Sequence, residues 1–119
     1  MKRADVRALD ILFSKYIRLL SGGYCKKCGE HVGFSGLDTA HCMGRTIHAT
    51  RWYKNNVAAL CRSCHGKLDL NPFEKSEFFR SILSRNEFED VCRRAKILKP
   101  GIDATELKAE LKEKIGRLE

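Results

Sequence analysis

Two cysteine pairs constrain this chain more than any other feature: Cys25-Lys26-Lys27-Cys28 and Cys61-Arg62-Ser63-Cys64, with 32 residues between them. Four thiols at this double CxxC spacing suit a tetrahedral thiolate zinc site, which would tie two distant stretches of chain to one point. The competing use of the motif, a redox dithiol, needs one copy and leaves the second unexplained. Basic residues inside both motifs favour the thiolate form that a metal requires. Gly29 follows the first pair, where a knuckle turn calls for a backbone conformation that side chains resist. Cys42 and Cys92 stand outside the pairs. Cys92 falls on an apolar helical face, as a core residue would, and the spacing assigns Cys42 no role.

A chain of 119 residues accommodates one compact domain, 1–119. Hydrophobic residues make up 43% and charged residues 32%, which excludes a disordered tail and a membrane protein. No apolar run approaches the ~20 residues that span a bilayer. The opening MKRADVRALD lacks the apolar stretch of a signal peptide. The expectation is a cytoplasmic protein with no membrane partner. Its charge is lopsided: residues 1–72 hold 12 Lys+Arg against 5 Asp+Glu, and residues 73–119 hold 11 against 10, so nearly all of the +8 lies in the first part. A one-sided positive field draws polyanions, of which nucleic acid is the commonest, although solubility alone also accounts for such a balance.

Residues 4–20 carry apolar side chains at helical spacing (Val6, Leu9, Leu12, Phe13, Tyr16, Ile17, Leu20), and Ser21-Gly22-Gly23 ends that helix. Residues 37–43 and 57–60 suit short strands, joined by the polar, basic stretch GRTIHATRWYKNN. A short helix over 62–69 follows, closed by Asn71-Pro72. Residues 73–85 and 87–98 read as helices that turn Phe78, Phe79, Ile82, Leu83, Phe88, Val91, Cys92, Ala95 and Leu98 inward. Asp103 caps a last helix with Leu107, Leu111, Ile115 and Leu118 on one stripe, which either packs on the domain or pairs with a partner helix. The fold class expected is α+β: an N-terminal helix (1–22), a zinc-bounded core (23–72) and a helical tail (73–119).

Chemistry concentrates inside the zinc-bounded segment. His41 stands on the first strand, Asn56 follows after 14 residues, and His65 after eight more, next to the last knuckle cysteine. Phosphodiester hydrolysis needs an activated water, a cation at the scissile phosphate and positive charge around the transition state. A neutral histidine takes a proton near pH 7, and a histidine nitrogen with oxygen ligands holds a divalent cation. This His–Asn–His order resembles the HNH motif of ββα-metal (His-Me finger) nucleases, many of which carry paired CxxC knuckles. The resemblance implies His41 as general base, and Asn56 as positioner of the His41 loop or contributor to the metal site. It implies His65 as metal ligand, with Mg²⁺ or Mn²⁺ as catalytic cation beside a structural Zn²⁺. The pattern departs at Ala40, where many HNH motifs place an acidic ligand; Asp38 is the nearest carboxylate.

A longer series of matches runs Leu9-Asp10, Leu12-Phe13-Ser14, Tyr16-Ile17-Arg18-Leu19, Cys25-x-x-Cys28-Gly29, Ala40-His41, Gly44-Arg45, Arg51-Trp52, Asn56-Val57 and Cys61-x-x-Cys64. In this order the chain resembles the Rap/NinG recombination proteins of lambdoid phages. That resemblance implies a structure-specific endonuclease acting on branched DNA such as Holliday junctions and D-loops, in a bacterial host's cytoplasm. Arg45, His48, Arg51, Trp52 and Lys54 are the DNA-binding candidates: cations for phosphates, and Trp52 either for stacking on an unpaired base or for filling a small core. Symmetric cutting at a junction would need two active sites, hence a homodimer, with the Leu107–Leu118 stripe or the first helix as its interface. The alternatives are a zinc-knuckle DNA-binding module without catalysis, and an HNH nuclease in a restriction or homing role.

Overall fold

The apolar stripe near the N-terminus forms helix α1, Arg3–Leu20, which buries Leu9, Phe13 and Ile17. The computed structural model describes all 119 residues. Past α1 the chain turns through Gly22 and Gly23, both at positive φ, into the first knuckle. At Gly23 only a glycine fits: a Cβ there would sit 2.7 Å from His31 Nε2. The Gly23 carbonyl accepts from Val32 N–H at 2.9 Å, and Tyr24 pairs with His31, so the knuckle is a small hairpin.

Strands β1 (Leu37–His41) and β2 (Val57–Cys61) pair antiparallel, with Leu37 opposite Cys61 and His41 opposite Val57. Two strands alone are marginal in water, and these are supported by α1 and by α3 (Arg62–Asp69). The sequence predicts β1 to residue 43. It stops at His41 because the next amides turn to Asn56: Cys42 N–H donates to its backbone carbonyl and Met43 N–H to its side chain. The connection, expected as irregular loop, contains the four-residue helix α2, His48–Arg51, and a 3-10 turn, Lys54–Asn56. Neither is long enough to leave a periodic signal.

Helices α4 (Pro72–Ile82), α5 (Arg85–Ala95) and α6 (Ala104–Leu118) complete the chain. Each start is capped by a side chain: Asn71 Oδ1 accepts from Glu74 N–H, Ser84 and Glu87 form a reciprocal capping box, and Asp103 accepts from Glu106 N–H. Phe79 and Val91 are fully buried. Leu98, expected to face inward, is exposed because α5 ends at Ala95.

The α6 stripe is used within the chain. Leu111 and Ile115 are buried, Leu111 joins the cluster that contains Leu9 and Phe13, and Lys108 Nζ donates to Asp5 on α1 at 2.6 Å. Of the two readings of the stripe, packing on the domain is the one seen here: α1 covers it, and Leu118 alone of its residues is exposed. No helix is long and apolar enough to cross a membrane. Leu111→Ala removes a side chain 3% exposed, so it should cost about 2–5 kcal/mol, read as a fall in melting temperature independent of protein concentration. A concentration-dependent transition would return the stripe to an interface between copies.

Candidate functional site

The four knuckle sulfurs converge, all within 4.8 Å of one another, with Cys28 and Cys61 Sγ 4.0 Å apart. Tetrahedral zinc with Zn–S bonds of about 2.3 Å sets its sulfurs roughly 3.8 Å apart, so the cluster can hold a zinc ion. Its backbone frame is built from the knuckle turns. Cys25 N–H donates to Glu30 O and Gly29 N–H to Cys25 O, both at 2.9 Å, and Gly29 sits at φ 78°. Lys26 N–H donates to Ala59 O, stitching the first knuckle to β2. Cys61 both ends β2 and caps α3, its Sγ accepting from Cys64 N–H at 3.5 Å.

Electrostatics points the same way. Burial opposes ionisation of Cys25, yet backbone N–H groups of Cys28, Cys61 and Lys27 bring its thiol down to about 6. The Cys64 thiol is pushed up to about 12, first by burial and then by the other three sulfurs. Four thiolates cannot share this space without a cation, and Zn²⁺ resolves the repulsion. Outside the cluster, burial, and then nearby Cys92, pushes the Cys42 thiol up.

Above the knuckles lies a cleft of about 510 Å³ between α1, β1 and α3. His41, Asp38, His65 and Arg45 meet there, as the sequence proposes. His41 Nε2 lies 3.0 Å from the Arg51 carbonyl oxygen. A carbonyl only accepts, so Nε2 carries the proton and Nδ1 of the neutral ring keeps its lone pair. Burial lowers the His41 pKa below its usual value, with the Arg51 carbonyl and Asp10 opposing and the charges of Arg45 and Arg51 assisting. His65 lies between two carboxylates: Nδ1 is 3.0 Å from Asp38 Oδ2 and Nε2 is 3.1 Å from Asp69 Oδ2.

Asn56 lies behind this cleft rather than in it, fully buried. Its Oδ1 accepts from Met43 N–H at 2.7 Å, and its Nδ2 donates to Met43 O at 3.2 Å and Thr50 O at 2.9 Å. Every polar atom of the side chain is spent on closing the connection after β1. Of the two roles left open for Asn56, loop positioning is the one these contacts serve, and the metal-ligand role is corrected.

Four DNA-binding candidates are also placed elsewhere. Arg51, 12% exposed, is held by Asp10 through Nε at 3.0 Å and Nη2 at 2.6 Å, so it is not free to clamp a phosphate. Trp52 is buried and donates Nε1–H to Asp10 at 2.9 Å, which corrects the base-stacking role. His48 packs 5.3 Å from the Trp52 ring in a groove with Asp103, Glu106 and Glu110, whose charges repel a polyanion. Lys54 lines a separate groove beside Glu87. Of the named basic candidates, Arg45 alone reaches the cleft, where it is joined by Arg18 and Arg62.

Sequence reasoning missed Asp69, Arg62, Arg18 and Asp10. Asp69 stands four residues after His65 on a helix, a spacing that puts both on one face and was readable. Asp10 meets its partners across 41 residues, and no local pattern carries that information.

No family model, curated protein or solved structure matches the chain. The likeness to HNH and Rap/NinG proteins rests on the matched residues alone.

Replacing Cys61 removes a zinc ligand and the α3 cap together. Cys61→Ser should lower bound zinc from one per chain to near none and abolish the cooperative thermal transition, as should prolonged treatment of the parent protein with a strong chelator. Elemental analysis and calorimetry check both, and unchanged zinc content with an unchanged melting temperature would refute the assignment.

Proposed function

We infer that this protein is a divalent-metal-dependent DNA endonuclease with a ββα-metal (HNH) core on a structural zinc. The observation that carries the reading is the state of His41: a ring held neutral by burial, its Nε2–H tied to the Arg51 carbonyl, its Nδ1 unprotonated at a cleft that also holds His65 and Asp38. A base must be both deprotonated and oriented, and this ring is both. The order His41 on β1, Asn56 before β2 and His65 on α3 supports the same reading.

In that function His41 Nδ1 takes the proton of the attacking water. His65 and Asp38 would hold Mg²⁺ or Mn²⁺. His65 Nδ1 and Asp38 Oδ2 lie 3.0 Å apart while Nε2 faces Asp69, so the first two would offer a cation one nitrogen and one oxygen. When bound there, the cation supplies charge that stabilises the phosphorane-like transition state and the leaving oxygen. Arg45, Arg62 and Arg18 line the same cleft and neutralise phosphates on either side of the cut. The Rap/NinG likeness supplies the substrate class, branched DNA recognised by shape and backbone charge rather than by base sequence.

A second reading, a zinc-knuckle DNA-binding module without catalysis, draws on one observation. Ala40, fully buried, leaves β1 without the acidic ligand that many HNH motifs place there.

The zinc-loaded protein incubated with a labelled Holliday junction, a D-loop and a linear duplex, with Mg²⁺ or Mn²⁺ against EDTA, separates the two. Metal-dependent cuts that fall by at least about 100-fold in His41→Ala, with DNA binding retained, are expected for loss of a general base. Tight binding with intact DNA in every lane would establish the non-catalytic module. The pH dependence has a definite sign. Because burial lowers the His41 pKa beneath 6.5, the acid limb of the cleavage rate should fall below pH 6.5. The stability His41 contributes should be full above 6.5 and lost as pH drops through its folded value.

A further inference from the structure

The tautomer of His41 depends on one carbonyl, whose backbone is held locally by Arg51 N–H to Ile47 O at 3.0 Å and by Asn56 Nδ2 to the adjacent Thr50 O at 2.9 Å. That carbonyl belongs to Arg51, the last residue of α2, a four-residue helix whose start has no side-chain cap. Such a turn is marginal on its own. The side chain of Arg51 is held from α1, 41 residues upstream. Both oxygens of Asp10, on α1, are committed to the end of α2: Oδ2 accepts from Arg51 Nη2, and Oδ1 accepts from Arg51 Nε and from Trp52 Nε1. The same guanidinium reaches back to the entry of the connection, Nη1 donating to Arg45 O at 2.6 Å.

We propose that Asp10 is a positioning residue for the catalytic base: it fixes Arg51 on α1, and the Arg51 carbonyl in turn fixes the His41 ring with Nδ1 free. The inference rests on the nuclease reading for its catalytic consequence, though its structural content stands apart from it. Asp10 is suited to the task chemically. Burial would raise its pKa, but the hydrogen bonds from Arg51 and Trp52 outweigh this and keep it ionised. The planar guanidinium donates two parallel bonds to the carboxylate, so orientation is transmitted as well as distance. The arrangement extends the logic of a base oriented by a third group, here with a peptide carbonyl standing between the two.

The alternative is that Asp10–Arg51 is an ion pair that only adds stability. The two differ in what they do to the His41 ring. The full-length, zinc-loaded protein and its Asp10→Asn variant should be compared by long-range ¹H–¹⁵N correlation of the imidazole nitrogens, above the His41 titration. The parent should show a single Nε2–H tautomer. Asp10→Asn, which keeps the side-chain shape but loses one acceptor, should show tautomer averaging. Its kcat on a junction substrate should fall about 10- to 100-fold, as expected for a misaligned base, with KM unchanged. Asp5→Asn, which breaks the α1 pair with Lys108 and touches nothing near His41, should leave the tautomer and rate as in the parent. If Asp10→Asn does not fold, Arg51→Lys reads the same signature, since an ammonium keeps the charge and loses the fork.

A single Nε2–H tautomer with unchanged kcat in the folded Asp10 or Arg51 variant overturns the proposal. Absence of cleavage by the parent protein overturns the nuclease reading instead, and the tautomer spectra still decide the role of Asp10.

Discussion

The meeting of four sulfurs at one point is the constraint on which the rest of this structure depends. Only 20 of 119 residues are buried, too few for a confident core on their own. Closing the 32-residue stretch between Cys28 and Cys61 costs about 3 kcal/mol of chain entropy before constants. A zinc ion held by these four sulfurs would be worth about 10–16 kcal/mol, enough to decide the balance. The stretch that zinc encloses contains β1, the connection and β2, including His41 and Asn56. The histidine of α3 lies just beyond, beside Cys64.

A second framework runs at right angles to this one in sequence terms. Helix α1 reaches each part of the molecule through a different polar contact: Asp5 to Lys108 on α6, Asp10 to Arg51 and Trp52 in the connection, and Ser14 to Thr39 on β1 at 3.0 Å. Its apolar side meanwhile fills the core with Leu9, Phe13 and Ile17. The connection is fastened on its other side by Tyr53, whose hydroxyl donates to Asp90 on α5 and whose ring lies beneath Arg94. A segment that composition marks as a basic loop is therefore held from two directions, and its Arg51 is committed to Asp10 rather than free for a ligand.

The parts of this arrangement that were legible in sequence are those with short-range signatures. The knuckles follow from CxxC spacing, α1 and α4 to α6 from apolar period, the start of α6 also from Asp103 as its cap, and the end of α3 from Asn71-Pro72. His41, Asp38 and His65 were named from order alone and do share a cleft. The illegible parts are long-range or small. Arg51 and Trp52 look like ligands for DNA because they are basic and aromatic in a basic stretch. Their actual partner is a carboxylate on a helix far upstream, and side-chain type does not report who will claim it. Asn56 is named through its place in the His–Asn–His order, as loop positioner or metal contributor, and its carboxamide is consumed by three backbone groups of the connection.

The passage from β2 to α3 has no linker at all: Cys61 is the last strand residue and Arg62 the first helical one. Consecutive residues on a helix are turned by about 100°, so the direction His65 faces is counted off directly from Cys61, a member of the four-sulfur cluster. One residue gained or lost between Cys61 and His65 would swing the imidazole more than a quarter turn around the helix, away from Asp38, while leaving composition and hydrophobic pattern nearly untouched. The connection before β2, held by side chains rather than by count, has no such arithmetic. Drift in length is thus tolerable on one side of β2 and forbidden on the other, and the junction acts as the molecule's ruler.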